Sequence, residues 1–138
     1  MNTFLLEIVT PERLVFSEQV ERLVATGIDG DMGVLAGHIP TVTPLKVAPL
    51  VFQAGGKRTT FAIQGGFLEV RPDKVVVLAE SAEKSSNIDV ERARAAKERA
   101  ERRLHNRLDQ DHIDFRRAEL ALQRAMNRIK VSSSGENR

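Results

Sequence analysis

Ile88-Asp89-Val90-Glu91-Arg92-Ala93 is where the chain changes character. Upstream, short apolar runs alternate with glycine and proline turns, which is the pattern of β-strands. Downstream, apolar residues recur every three or four positions as far as Ile129, which is the pattern of helices. Ser85-Ser86-Asn87 stands at the change, and side-chain oxygens there suit the first free N–H groups of a helix. Ser86 or Asn87 is therefore the expected N-cap. Asp89 then falls in the first turn, where a carboxylate complements the helix dipole.

The neighbours of Asp89 add a second reading. Asp89, Arg92 and Arg99 lie at i, i+3 and i+10, within one helical face. Arg124 and Arg128, at i and i+4, share a face of the following helix. If the two helices fold back on each other, guanidinium groups from both point at one spot. Such forks suit phosphate, because each makes bidentate, charge-assisted hydrogen bonds. A solvated charge face has the same spacing and remains the alternative.

The first helix is expected over about Asp89–Leu108, with the stripe Ala93, Ala96, Ala100, Leu104 and Leu108. The second is expected over about Ile113–Ile129, with Phe115, Ala118, Leu122, Ala125 and Ile129. Small residues on both stripes let antiparallel helices approach closely. A burial dominated by alanine contributes little per residue, about 0.8 kcal/mol per methyl against 1.5–3 for a leucine. The hairpin is thus a marginal and movable element. The joint is Asn106–His112, and Ser132-Ser133-Ser134-Gly135 reads as the start of a frayed tail.

Before residue 85, Thr3–Thr10 ends at Pro11, and Leu14–Thr26 holds one or two further strands. Gly27, Gly30 and Gly33 space a loop whose glycines are expected at positive φ. Val34–Ala36 and Thr41–Val47 read as short strands around Gly37-His38-Ile39-Pro40. Leu50–Gln53 and Thr59–Gln64 flank a hairpin turn at Gly55-Gly56. Phe67–Val70 and Val75–Leu78 flank Arg71-Pro72-Asp73-Lys74. The fold class is therefore α+β in two parts. An antiparallel β-sandwich or flattened barrel occupies residues 1–84, and an antiparallel two-helix hairpin 85–138, with a frayed tail from about residue 131.

Composition removes several function classes. The 138 residues include no cysteine, which excludes disulfides and thiolate metal sites. Trp and Tyr are absent, so the usual stacking platforms for single-stranded nucleic acid are missing. The N-terminus, Met1 to Glu7, lacks a basic region and a long apolar run, so no signal peptide is expected. No stretch approaches the roughly 20 apolar residues of a membrane span, so no direct membrane insertion is expected. Residues 1–84 hold 8 Lys/Arg against 10 Asp/Glu, and residues 85–138 hold 13 against 9. A basic helical part on an acidic sandwich points to an acidic partner, whether a nucleotide, a nucleic acid or a carboxylate-rich protein surface.

No self-contained catalytic constellation emerges, and the chain is not expected to be an enzyme. Gly55-Gly56-Lys57 runs into Arg58 and fits a hairpin rather than a phosphate-binding loop. The three glycines of the Gly27–Gly33 loop have the wrong spacing for a dinucleotide fingerprint. His38, His105 and His112 form no metal-spaced cluster, so neither metal nor tightly held cofactor is expected. A basic helical-hairpin module for nucleic acid is the alternative function, but acidic residues are interspersed through it.

Several short motifs in series carry a resemblance that covers the whole chain. Gly33-Val34-Leu35-Ala36-Gly37-His38-Ile39-Pro40, Gly65-Gly66-Phe67-Leu68-Glu69-Val70, Ile88–Ala93 and Arg117-Ala118-Glu119-Leu120-Ala121-Leu122 resemble the epsilon subunit of F-type ATP synthases. The resemblance implies a rotor subunit of a proton- or sodium-translocating synthase, peripheral on the cytoplasmic face of the bacterial cell membrane. Its sandwich would contact the gamma subunit and the ring of c subunits. Its hairpin would block ATP hydrolysis when extended beside gamma and permit turnover when folded down.

The pattern Ile-Asp-x-x-Arg-Ala stands intact here, as in the branch of the family that binds ATP as a regulatory ligand. Carried over by position, the resemblance implicates Glu83, Ile88, Asp89, Arg92, Ala93, Arg99, Arg124 and Arg128 in ATP binding. One departure is the joint Asn106–His112, longer than in close relatives, which bears on the register of Arg124 and Arg128. The rigid edge Gly27–Pro40, with Gly30, Asp31 and His38, is the expected contact to gamma and the c-ring. Arg116 and Arg117 are the expected inhibitory contact to an acidic segment of the catalytic head's beta subunit.

Overall fold

A computed structural model describes residues 2–106 and 112–134. Apolar alternation sets most strands: in β1 (Phe4–Val9) Leu6 and Ile8 are buried, and in β3 (Arg22–Gly27) Leu23 and Ala25 are. The remaining strands are β2 (Leu14–Val20), β4 (Gly30–Val34), β5 (Thr41–Ala54), β6 (Lys57–Val70), β7 (Lys74–Ala79) and β8 (Ala82–Lys84). Seven follow the order β2-β1-β7-β6-β5-β3-β4, and β8 pairs with β6. One sheet closes over a single core that includes Leu6, Ile8, Leu23, Leu50, Phe52, Phe61, Ile63, Leu68 and Val77. Phe16, Phe52 and Phe61 form an aromatic group within it, with ring centroids 4.7–6.0 Å apart.

The expected sandwich stands, with three departures. β1 and β7 pair in parallel, so the sheet is not purely antiparallel. The four short strands expected between Thr41 and Val70 are two long ones of 14 residues each, paired from end to end. Proline and glycine read as strand breaks in the sequence, yet here they mark a change of face. Phe61 and Ile63 point into the core, and beyond Gly65 and Gly66 so do Leu68 and Val70, an exchange of odd for even positions. β5 makes the matching exchange between Leu45 and Leu50. Of Gly27, Gly30 and Gly33, only Gly30, where the β3–β4 hairpin closes, has a positive φ.

Gly66 is the position that no other residue fills. Its φ is 140°, and a Cβ there would lie 2.0 Å from the Leu78 carbonyl oxygen and 2.9 Å from Ala79 Cα. Both obstacles are backbone, so neither can rotate away. Gly66→Ala is expected to destabilise the protein by about 2–4 kcal/mol. The check is a lowered urea midpoint at unchanged slope.

The helices are α1 (Val90–His105) and α2 (His112–Ser134). Residues 107–111 of the expected joint, Leu108 among them, lie outside the described residues. The N-cap is Asp89 rather than Ser86 or Asn87: its carboxylate accepts the Arg92 N–H at 3.1 Å. Ser85–Asn87 forms one 3-10 turn instead, and Ile88 stays extended. That conformation lets Ile88 be buried against Ala62 and Val131 in a small second core. The same contact corrects the other end of the hairpin. α2 continues to Ser134 instead of stopping near Ile129, because Val131 is fully buried.

α1 and α2 pack along each other, and the buried positions expected of the seam are alanines: Ala93, Ala100, Ala118 and Ala125. The hairpin is folded down on the sandwich. α2 lies against the outer side of β5 and β6, and this is why Ala62 and Gln64 are buried although they point away from the main core.

Candidate functional site

The chain leaves β8, makes the 3-10 turn and starts α1 at Asp89, and a cleft opens beneath this path. Ser81, Glu83 and Asn87 line the side before the helix. α1 supplies Asp89, Arg92, Ala93, Ala96 and Arg99, one stripe at helical spacing, and α2 supplies Arg128. The volume is about 560 Å³. Of the eight residues named as a ligand set, Glu83, Asp89, Arg92, Ala93, Arg99 and Arg128 line this cleft. Ile88 lies buried beside it in the small core. Arg124 does not line it; its side chain is exposed, and its backbone carbonyl accepts a 3.5 Å hydrogen bond from Gln64 Nε2.

The charges are unevenly used. Arg128 Nε donates to Glu83 Oε1 in a half-buried ion pair that ties α2 to β8. Asp89 is engaged in capping. Arg92 and Arg99 enter no ion pair among the described residues. Two available guanidinium groups thus face a third that a carboxylate already neutralises. Chemically, guanidinium groups so placed suit an anion with several oxygens, and such an anion would bridge α1 to α2.

Sequence reasoning missed Ser81, Asn87 and Ala96 in the lining. It also missed Gln64 and Asn127 behind it, because neither falls on an apolar stripe. Gly30 and Asp31 sit on β4, where Asp31 Oδ1 accepts from Thr26 Oγ1 at 2.8 Å. His38 is half-buried in a loop, and its backbone N–H donates to the Leu35 carbonyl at 3.1 Å. Arg116 and Arg117 are exposed on α2, Arg116 beside Glu119 at 3.4 Å.

A further surface feature was not legible in the sequence. Register places Leu14, Val9, Leu78, Phe67 and Pro44 side by side across five strands. Phe67 is 50% exposed, Leu78 47% and nearby Val42 65%. An apolar row of this extent on an outer face marks an interaction surface.

Comparison with known proteins agrees with this architecture. Residues 3–85 match the family model for the ATP synthase delta/epsilon chain, β-sandwich domain. Residues 86–133 match the delta/epsilon chain, long α-helix domain. The ATP synthase epsilon chain of Bacillus mycoides is 51% identical over 132 residues, covering 96% of this chain and 98% of its own. That of Desulforamulus reducens is 53% identical over 127 residues, covering 92% and 95%. A chain in the structure of the Euglena gracilis mitochondrial ATP synthase (OSCP, F1 and c-ring) superposes with a TM-score of 0.78 at 27% identity, covering 91% of this chain and 78% of that one. Family models along nearly the whole length and full-length relatives at about half identity lead to one conclusion: this chain belongs to the epsilon-chain family of ATP synthases.

Proposed function

We propose that the chain is a non-catalytic rotor subunit of a bacterial F-type ATP synthase whose helical hairpin is held down by ATP. The observation that supports this best is the origin of the cleft's walls. Its cations come from α1 and α2, and its remaining polar groups come from the chain leaving the sandwich. A polyphosphate seated there ties both helices to the sandwich at once. Apart from the Arg128–Glu83 pair and the hydrogen bonds of Gln64 and Asn127, the docking contact is a small apolar centre of Ala62, Ile88 and Val131, so a ligand is able to decide the balance. Binding to one state shifts the equilibrium by RT ln(1 + [ATP]/Kd), about 1.4 kcal/mol at a ninefold excess over Kd.

In this reading the sandwich anchors the subunit. Gamma docks on the apolar row through Phe67 and Leu78, and the edge running from Gly30 and Asp31 to His38 meets the c-ring. Helices and apolar row occupy different outer faces of the sheet, so the hairpin is free to leave without disturbing the anchor. No helix among the described residues is long and apolar enough to cross a membrane. The test is titration of the pure protein with ATP, followed by amide exchange over residues 85–130. Unchanged protection of α2 at saturating ATP would refute the sensor.

Released from the sandwich, the hairpin acts as the brake on ATP hydrolysis, with Arg116 and Arg117 against carboxylates of a catalytic subunit. Replacing both by Ala is expected to relieve inhibition of the assembled complex. The relief should be largest at low ionic strength, where exposed pairs are least screened. Hydrolysis rates that do not change at any salt concentration would place the contact elsewhere.

A further inference from the structure

We infer that Gln64 and Asn127 form a buried amide clasp that sets the register of α2 on β6 and so positions Arg128 in the cleft. The inference rests on the ATP reading above and extends it to two residues that do not line the cleft. Asn127 is 5% exposed and Gln64 4%. Asn127 Nδ2 donates to the Ile63 carbonyl at 3.2 Å and to Gln64 Oε1 at 3.3 Å. Gln64 Nε2 in turn donates to the Arg124 carbonyl at 3.5 Å. Strand and helix therefore grip each other through both amides, one residue before the arginine that reaches Glu83.

Directionality gives this clasp its role. Apolar contacts such as that of Val131 tolerate a slip along the strand, because burial has no preferred direction. Hydrogen bonds weaken steeply when distance or angle changes. Each residue of slip also turns the helix by about 100°, enough to swing the Arg128 guanidinium away from Glu83. The clasp is costly as well, since Asn127 Oδ1 is buried with no hydrogen-bond partner among the described residues. An apolar residue of similar size avoids that penalty. A contact whose only task was adhesion would gain by losing the amide, so the amide serves register.

The experiment measures ATP affinity for the full-length chain and for Asn127→Ala, Gln64→Ala, Arg128→Ala and the Asn127→Ala/Arg128→Ala pair. Met126→Ala, an exposed neighbour, is the control. Each clasp variant is expected to weaken ATP about tenfold. In the Arg128→Ala background, Asn127→Ala is expected to cost less than about a further twofold, because its effect acts through that arginine. The same factor in both backgrounds would overturn the inference. Amide exchange without ATP separates this from failure of the ATP reading. If the unmodified chain binds no ATP, faster exchange over Arg124–Val131 in both clasp variants, and not in Met126→Ala, still supports the clasp. Exchange equal to the unmodified chain overturns it.

Discussion

Arg128→Ala is expected to weaken ATP binding most, roughly a hundredfold, Arg92→Ala roughly tenfold, and Arg124→Ala less than about threefold. All three carry the same charge, and position separates them. Arg92 lines the cleft from α1 and is exposed, so a charge-assisted bond worth about 1.5–3 kcal/mol gross is discounted for screening. Arg128 lines it from α2 and also neutralises Glu83. Its removal takes away a donor and leaves a carboxylate facing the phosphates. Arg124 stands outside the cleft.

The consequence for the enzyme complex follows from linkage. Weaker binding means less docked hairpin at a given ATP concentration. Inhibition of hydrolysis should therefore persist to higher ATP in the same order, Arg128→Ala beyond Arg92→Ala beyond Arg124→Ala. Titration of the isolated subunit and hydrolysis by the assembled complex are the two measurements. Three equal affinities would mean that the cleft is not where the ligand sits.

Phe67→Asp and Leu78→Asp are the second pair with a large expected effect. Both side chains are about half exposed and point away from the core, so stability should fall by only about 1–2 kcal/mol and the chain should stay folded. Association should suffer far more. An apolar side chain at the centre of an interface typically costs about 2 kcal/mol or more when it is lost, and a buried unpaired carboxylate adds its own desolvation. We expect each variant to remain folded and monomeric yet fail to co-purify with gamma. Normal recovery with gamma would move the anchor off the apolar row. Asp31→Ala and His38→Ala, on the edge assigned to the c-ring, are the counterpart, expected to leave gamma binding intact.

Local sequence went a long way toward the architecture. Alternation in Phe4–Val9 and the glycine pair at Gly55-Gly56, with φ of 59° and 78°, reflect preferences that act within a few residues. The switch to helix at Asp89 and the alanine stripes of α1 and α2 are equally local, as is the grouping of Asp89, Arg92 and Arg99 on one face. Periodicity, turn chemistry and capping need no knowledge of what lies across the molecule.

What only the tertiary structure decided depends on partners distant in sequence. The continuity of β5 and β6 through Pro49 and Gly65-Gly66 comes from pairing along their whole length, which outweighs the local breakers. Ile88 is extended, and α2 runs on to Ser134, because Ile88 and Val131 bury each other's surface from opposite ends of the hairpin. The choice between Arg124 and Arg128 is of the same kind. Both fit one helical face, about 40° apart, but the Asn127–Gln64 contact sets how far α2 has advanced along β6, and one helical turn of about 6 Å decides which arginine reaches Glu83 and the cleft. A spacing rule counts residues along one helix; where that helix stops against a strand sixty-odd residues earlier is a property of packing alone.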